Sequence, residues 1–155
     1  MRYTEEIEIA LPREEVVRLF LDRESMPKWQ KGLRSIEPVS GEPGEVGART
    51  RLVFVTGRRR IEMIETILAN DLPETFHATY DAKGVHNVCE NYLYEVGPDR
   101  TRWVSPNVFE LRGATKLVGT IFRGAFPRET RAQMRRFKEF AEHGADVRGD
   151  GGERS

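Results

Sequence analysis

Cysteine is almost missing from this sequence. Cys89 is the only one, so no disulfide can form within the chain, and a reducing, cytoplasmic setting is expected. The opening residues Met1-Arg2-Tyr3-Thr4-Glu5-Glu6 lack the apolar core of a signal peptide. No apolar run approaches the roughly 18 residues of a bilayer span. Excess charge is missing too: 25 basic side chains face 25 acidic ones, which removes any global pull toward nucleic acid, and no nucleic-acid partner is expected. The histidines His77, His86 and His143 are scattered, without the paired spacing of a metal site, so neither metal nor cofactor is expected. Without an identifiable His partner, Cys89 reads as an inert buried thiol rather than a nucleophile.

What the chain does contain is periodicity. Residues 3–11 alternate, with Ile7, Ile9 and Leu11 opposite Glu6 and Glu8, as a half-buried strand does. Pro12 suits a helix entrance, and Val16, Val17, Phe20 and Leu21 follow at helical spacing. A second short helical piece is expected over 25–31, carrying Trp29 and closed by Gly32. Strand patterns then run over 34–39, 48–55, 59–69, 75–80, 85–96 and 101–111. The connections are of hairpin length, which implies antiparallel neighbours.

From Ala114 to about Glu142 the period returns to that of a helix. Leu117, Ile121, Phe122 and Ala125 mark its first half, and Met134, Phe137, Phe140 and Ala141 its second. The two apolar arcs differ in phase by roughly 100°, and Pro127 removes a backbone donor between them. A kink at Pro127, or two abutting helices, is expected. Residues 1–143 thus read as one domain and 144–155, rich in Gly and charge, as a disordered tail.

The element order, together with Leu11-Pro12, Trp29 ahead of Gly32, Asp71-Leu72-Pro73-Glu74 and Thr101-Arg102-Trp103, resembles the START-like polyketide cyclase (SRPBCC) superfamily. The resemblance implies an α+β helix-grip fold: a seven-stranded curved antiparallel sheet around a long C-terminal helix, with two short helices between strands 1 and 2. It also implies a cavity between sheet and helix, open at one end. Physics points the same way, because a bent sheet gripping one helix leaves volume that large side chains must otherwise fill.

The inner face is then assigned to Asn87, Cys89, Asn91 and Leu93 on one strand, since the opposite choice buries Glu90 and related sequences are apolar at Leu93. Trp103, Ser105, Asn107 and Phe109 follow on the last strand. Pro106 predicts a bulge or an edge position there. Two readings of Asn87, Asn91, Ser105 and Asn107 are open: they orient a ligand, or they bond one another and the backbone. Glu65, on the Ile61/Met63/Ile67 face, is either a perturbed carboxyl or a paired or rim group. Tyr80 is a polar handle or an ordinary core tyrosine. Met63, Phe122, Phe126 and Met134 complete the proposed ligand-binding set; no residue is assigned a catalytic role.

Between 112 and 138 stand eight basic residues (Arg112, Lys116, Arg123, Arg128, Arg131, Arg135, Arg136 and Lys138) against Glu129 alone. They form either a solvated face or a docking surface. The expected function is binding or transport of a small hydrophobic molecule, lipid-like or polycyclic aromatic. The alternatives are a polyketide cyclase/dehydratase-type enzyme using Glu65 with Tyr80, and an interaction module docking through its basic C-terminal helix. Oligomeric state is open between monomer and homodimer.

Overall fold

In the computed structural model, residues 1–149 are described. Strand β1 (Arg2–Ile9) leads through Pro12 into helix α1 (Arg13–Leu21). A 3-10 turn, Arg23–Ser25, is capped by Asp22 and runs into the one-turn helix α2 (Met26–Trp29). Six strands follow: β2 (Leu33–Ser40), β3 (Arg49–Thr56), β4 (Arg59–Asp71), β5 (Thr75–Ala82), β6 (Val85–Gly97) and β7 (Arg100–Leu111). All pair antiparallel in one sheet of order β1-β7-β6-β5-β4-β3-β2. The chain ends in α3 (Ala114–Ile121) and α4 (Ala125–His143).

Pro106 neither bulges the last strand nor places it at an edge. β7 lies between β1 and β6, and the pairs Cys89↔Asn107 and Tyr92↔Val104 keep one register on either side of the proline. The missing Pro106 donor is replaced locally: the Ser105 hydroxyl donates to the carbonyl of Glu90, opposite the proline, at 3.0 Å. A side chain thus satisfies an acceptor that a central strand would otherwise leave bare.

Of the two expectations for the C-terminal segment, two abutting helices are present and a kink at Pro127 is not. The segment breaks earlier, over Phe122–Gly124, and Pro127 sits in the first turn of α4. An amide there has no acceptor within the helix, so the proline costs nothing. The change of apolar phase in the sequence is this change of helix.

α4 lies along β1 and reaches β7 and α2. Tyr3 ties its start to the sheet, with its hydroxyl 2.7 Å from Thr130 Oγ1. Burial pushes the Tyr3 phenol up to about 12. At the other end Glu142 accepts from the Ala10 amide at 2.6 Å and from Lys138 at 2.6 Å. The main core gathers Ile9, Val16, Trp29, Leu93, Trp103, Met134, Phe137 and Phe140. Phe20 of α1 joins it to a second cluster of Ala48, Ile67, Phe76 and Ala78. Beyond α4, Gly144 takes the left-handed conformation that ends the helix. The Val147 amide donates to the Lys28 carbonyl at 2.9 Å. The expected tail is therefore described only to 149; residues 150–155 lie outside the described residues.

Candidate functional site

Antiparallel register sets inward-facing side chains side by side across the sheet. One such row runs Pro38, Thr50, Glu65, Tyr80, Asn87, Phe109, each opposite the next. A second row, nearer α1, runs Ile67, Ala78, Cys89, Asn107, Tyr3. Further down, Leu93 faces Trp103 and Trp103 faces Ile7.

The low end of this concave face is filled. Phe137 stands edge-on to Trp103 at 5.5 Å and to Trp29 at 4.9 Å, and Phe20 sits 5.8 Å from Trp103. Met134 is buried in that same cluster. The buried polar residues bond inward. Trp103 donates from Nε1 to Asn91 Oδ1 at 2.8 Å, and Asn91 Nδ2 to the Phe76 carbonyl at 3.1 Å. Asn87 Nδ2 donates to Asn107 Oδ1 at 3.0 Å, and Asn107 Nδ2 to Ser105 Oγ at 3.1 Å. Cys89, beside Ser105, has its thiol pushed up by burial.

The upper row is different. Met63, Glu65 and Tyr80 are half-buried, on strands that α4 does not lie along. Tyr80 donates its hydroxyl to Glu65 Oε2 at 2.8 Å. Burial raises the Glu65 carboxyl above its ordinary range, opposed by the Tyr80 hydrogen bond and by the charge of Arg23. The Tyr80 phenol is held well up, first by burial and then by the adjacent carboxyl. In this row Glu65 Oε1 and Asn87 Oδ1 receive no donor among the described residues. At the β7 end of the row Phe109 meets Phe126 with ring centres 4.7 Å apart. At the β2 end an open cleft of about 380 Å³ is lined by Ile36, Pro38, Ala48 and Thr50, with Arg23 and Glu24 above.

The structure therefore sets Glu65, Tyr80 and Asn87 side by side in the upper row, with Met63 on the same face of β4 and Phe126 against Phe109 at the end of the row. It sets Asn91, Trp103, Ser105 and Asn107 in a closed hydrogen-bonded layer, and Met134 in the core. Phe122 stands apart, 58% exposed at the end of α3. Sequence reading missed Ile36, Pro38, Thr50 and Arg23. The alternation Thr50, Leu52, Phe54 carried a signal, but it competes with Val53 and Val55 on the opposite face.

A curved antiparallel sheet gripping a C-terminal helix defines the helix-grip class. The family model described as polyketide cyclase / dehydrase and lipid transport matches residues 1–142, and the chain belongs to that family. No curated protein matches the sequence. Among solved structures it is similar to the ZhuI aromatase/cyclase from Streptomyces sp. R1128, at 14% identity and a TM-score of 0.77, covering 92% of this chain and 93% of that one. The protein TTHA0849 from Thermus thermophilus gives 19% identity and a TM-score of 0.73, covering 91% and 97%. Norcoclaurine synthase from Thalictrum flavum gives 14% and 0.70, covering 92% and 94%. At these identities the likeness is one of fold. No described helix is long and apolar enough to cross a membrane.

Proposed function

We propose that the chain binds a small, largely apolar molecule bearing hydroxyl or amine donors, in the trough from the β2–β3 cleft to Phe109 and Phe126. The observation that carries this reading is the Glu65–Tyr80 pair, hydrogen-bonded at 2.8 Å on the uncovered part of the concave face. Glu65 Oε1 and Asn87 Oδ1 flank it as acceptors for a guest's donors, while Met63, Ile36 and the two phenylalanines supply apolar contact. The cleft volume falls in the range of small-molecule sites. Family membership supports a guest of polyketide or lipid character. Native mass spectrometry of protein purified from its own host should show an added mass. Glu65→Ala with Asn87→Ala should reduce that occupancy or weaken binding of a polyhydroxylated aromatic by about tenfold. Protein that carries nothing and takes up neither aromatic nor acyl probes contradicts the proposal.

A second reading is supported by the same contact. A half-buried carboxyl with a raised titration range, bonded to a phenol, is a proton-transfer pair suited to an enolisable polyketide-like chain. In that case Glu65→Gln abolishes turnover while leaving binding intact; retained turnover would rule it out.

A further inference from the structure

α3 turns its apolar stripe away from the protein. Ala114, Leu117, Val118 and Ile121 fall at i, i+3, i+4 and i+7, the spacing of one helix face. The side packed on the sheet is a different one: Gly119 is buried against the Leu111 side chain, and Thr115 donates to the Gly84 carbonyl at 2.6 Å. At about 100° per residue, Leu117 and Ile121 lie roughly 160° from Gly119. Leu117 is accordingly 66% exposed, Val118 52%, Ile121 63% and the following Phe122 58%.

Charge around this stripe has one sign. Residues 111–128 contain Arg112, Lys116, Arg123 and Arg128 and no Asp or Glu. Among the described residues Lys116, Arg123 and Arg128 form no ion pair, and Arg112 reaches only Glu110, at 3.7 Å with both side chains well exposed. Further along α4, Arg131 pairs with Glu5, Arg136 with Glu129 and Lys138 with Glu142. The exposed Arg135 has no ion pair among the described residues but stands about two turns beyond Arg128, away from the stripe. Exposed apolar residues and unpaired cations therefore coincide on α3 and the turn after it.

We infer that α3 is a docking helix for an anionic lipid bilayer, laying Leu117, Val118, Ile121 and Phe122 into the interface with Arg112, Lys116, Arg123 and Arg128 at the headgroups. An apolar stripe bordered by basic residues and free of acidic ones fits such a surface. A second copy fits poorly, since pairing α3 on α3 sets these cations against their duplicates. RNA fits poorly, since it offers nothing to bury the stripe. The inference goes beyond the trough and stands whether or not the trough holds a guest.

Vesicle flotation with the full chain tests it, comparing phosphatidylcholine alone with phosphatidylcholine containing phosphatidylglycerol. Binding is expected only to the anionic vesicles and should fall at high salt. Lys116→Gln with Arg123→Gln should lower it by roughly fivefold per charge removed. Leu117→Ser with Ile121→Ser should lower it by at least about tenfold, with an unchanged circular dichroism spectrum. Arg100→Gln, at the β6–β7 hairpin on the opposite end of the sheet, should leave it unchanged. Absence of vesicle binding, equal binding to neutral vesicles, retention on RNA alone, or a dimer dispersed by Leu117→Ser with Ile121→Ser would each overturn the assignment.

Discussion

Two tryptophans occupy the same core under opposite hydrogen-bonding conditions. Trp103 donates to Asn91 at 2.8 Å, whereas the buried Nε1 of Trp29 has no partner among the described residues. Replacing either by Phe removes similar volume, but only Trp103→Phe strips a buried amide oxygen of its donor. Trp103→Phe should therefore cost about 1–3 kcal/mol more than Trp29→Phe in denaturant unfolding; equal or reversed costs would contradict the hydrogen-bonded layer. Glu65 gives a second test. Its carboxyl titrates higher in the folded chain than the ordinary 4.5, so the folded state favours the protonated form. The resulting stability is present below the ordinary value and is lost as pH rises through the raised one. Glu65→Gln should thus raise Tm at neutral pH, with the gain fading toward pH 4; a lower Tm at neutral pH would mean that the ionised carboxyl is stabilised after all. Asn91 and Glu65 were both visible in the sequence as polar residues on inward faces. Whether each bonds a neighbouring side chain or awaits a guest was not, because alternation along one strand says nothing of which residue stands opposite on the next.

The strands were legible because their alternation is strong and their turns are marked by glycine, as at Gly57 and Gly84, both of which take positive φ. Two abutting helices were legible in the C-terminal segment, but their boundary was set at Pro127 and not at Phe122–Gly124, because proline reads as a breaker wherever it falls. Its effect depends on distance from the helix start, and here Gly124 places that start just before it. The seat of α3 was illegible for a related reason. Apolar residues at helical spacing predict burial, yet this helix packs through Gly119, where the absence of a side chain admits Leu111. Gly119→Phe, whose ring cannot be cleared by a rotation of the Leu111 side chain alone, should displace Leu111 and unseat α3, costing about 1–3 kcal/mol. Hydrogen exchange should show the loss of protection confined to α3 and the end of β7. Loss of protection spread across the sheet, or none at all, would argue against this seating.

Viewed entire, the concave face is filled at one end by Phe20, Trp29, Trp103 and Phe137. The half-buried Glu65 and Tyr80 stand on strands that α4 does not lie along, and the proposed function takes that end as the open one. The general architecture was legible through the resemblance that the element order carries together with Leu11-Pro12, Trp29, Asp71-Leu72-Pro73-Glu74 and Thr101-Arg102-Trp103. Which part of the face α4 leaves uncovered was not, because it depends on how far α4 travels along β1 before Tyr3 and Glu142 fix its two ends. The most direct measurement is a titration with anilinonaphthalene sulfonate, an apolar fluorophore, followed by backbone amide chemical shifts. Saturable shifts clustered at Thr50, Glu65, Tyr80, Asn87 and Phe109 are predicted. Shifts confined to α3, or none that saturate, would contradict a binding trough on the concave face.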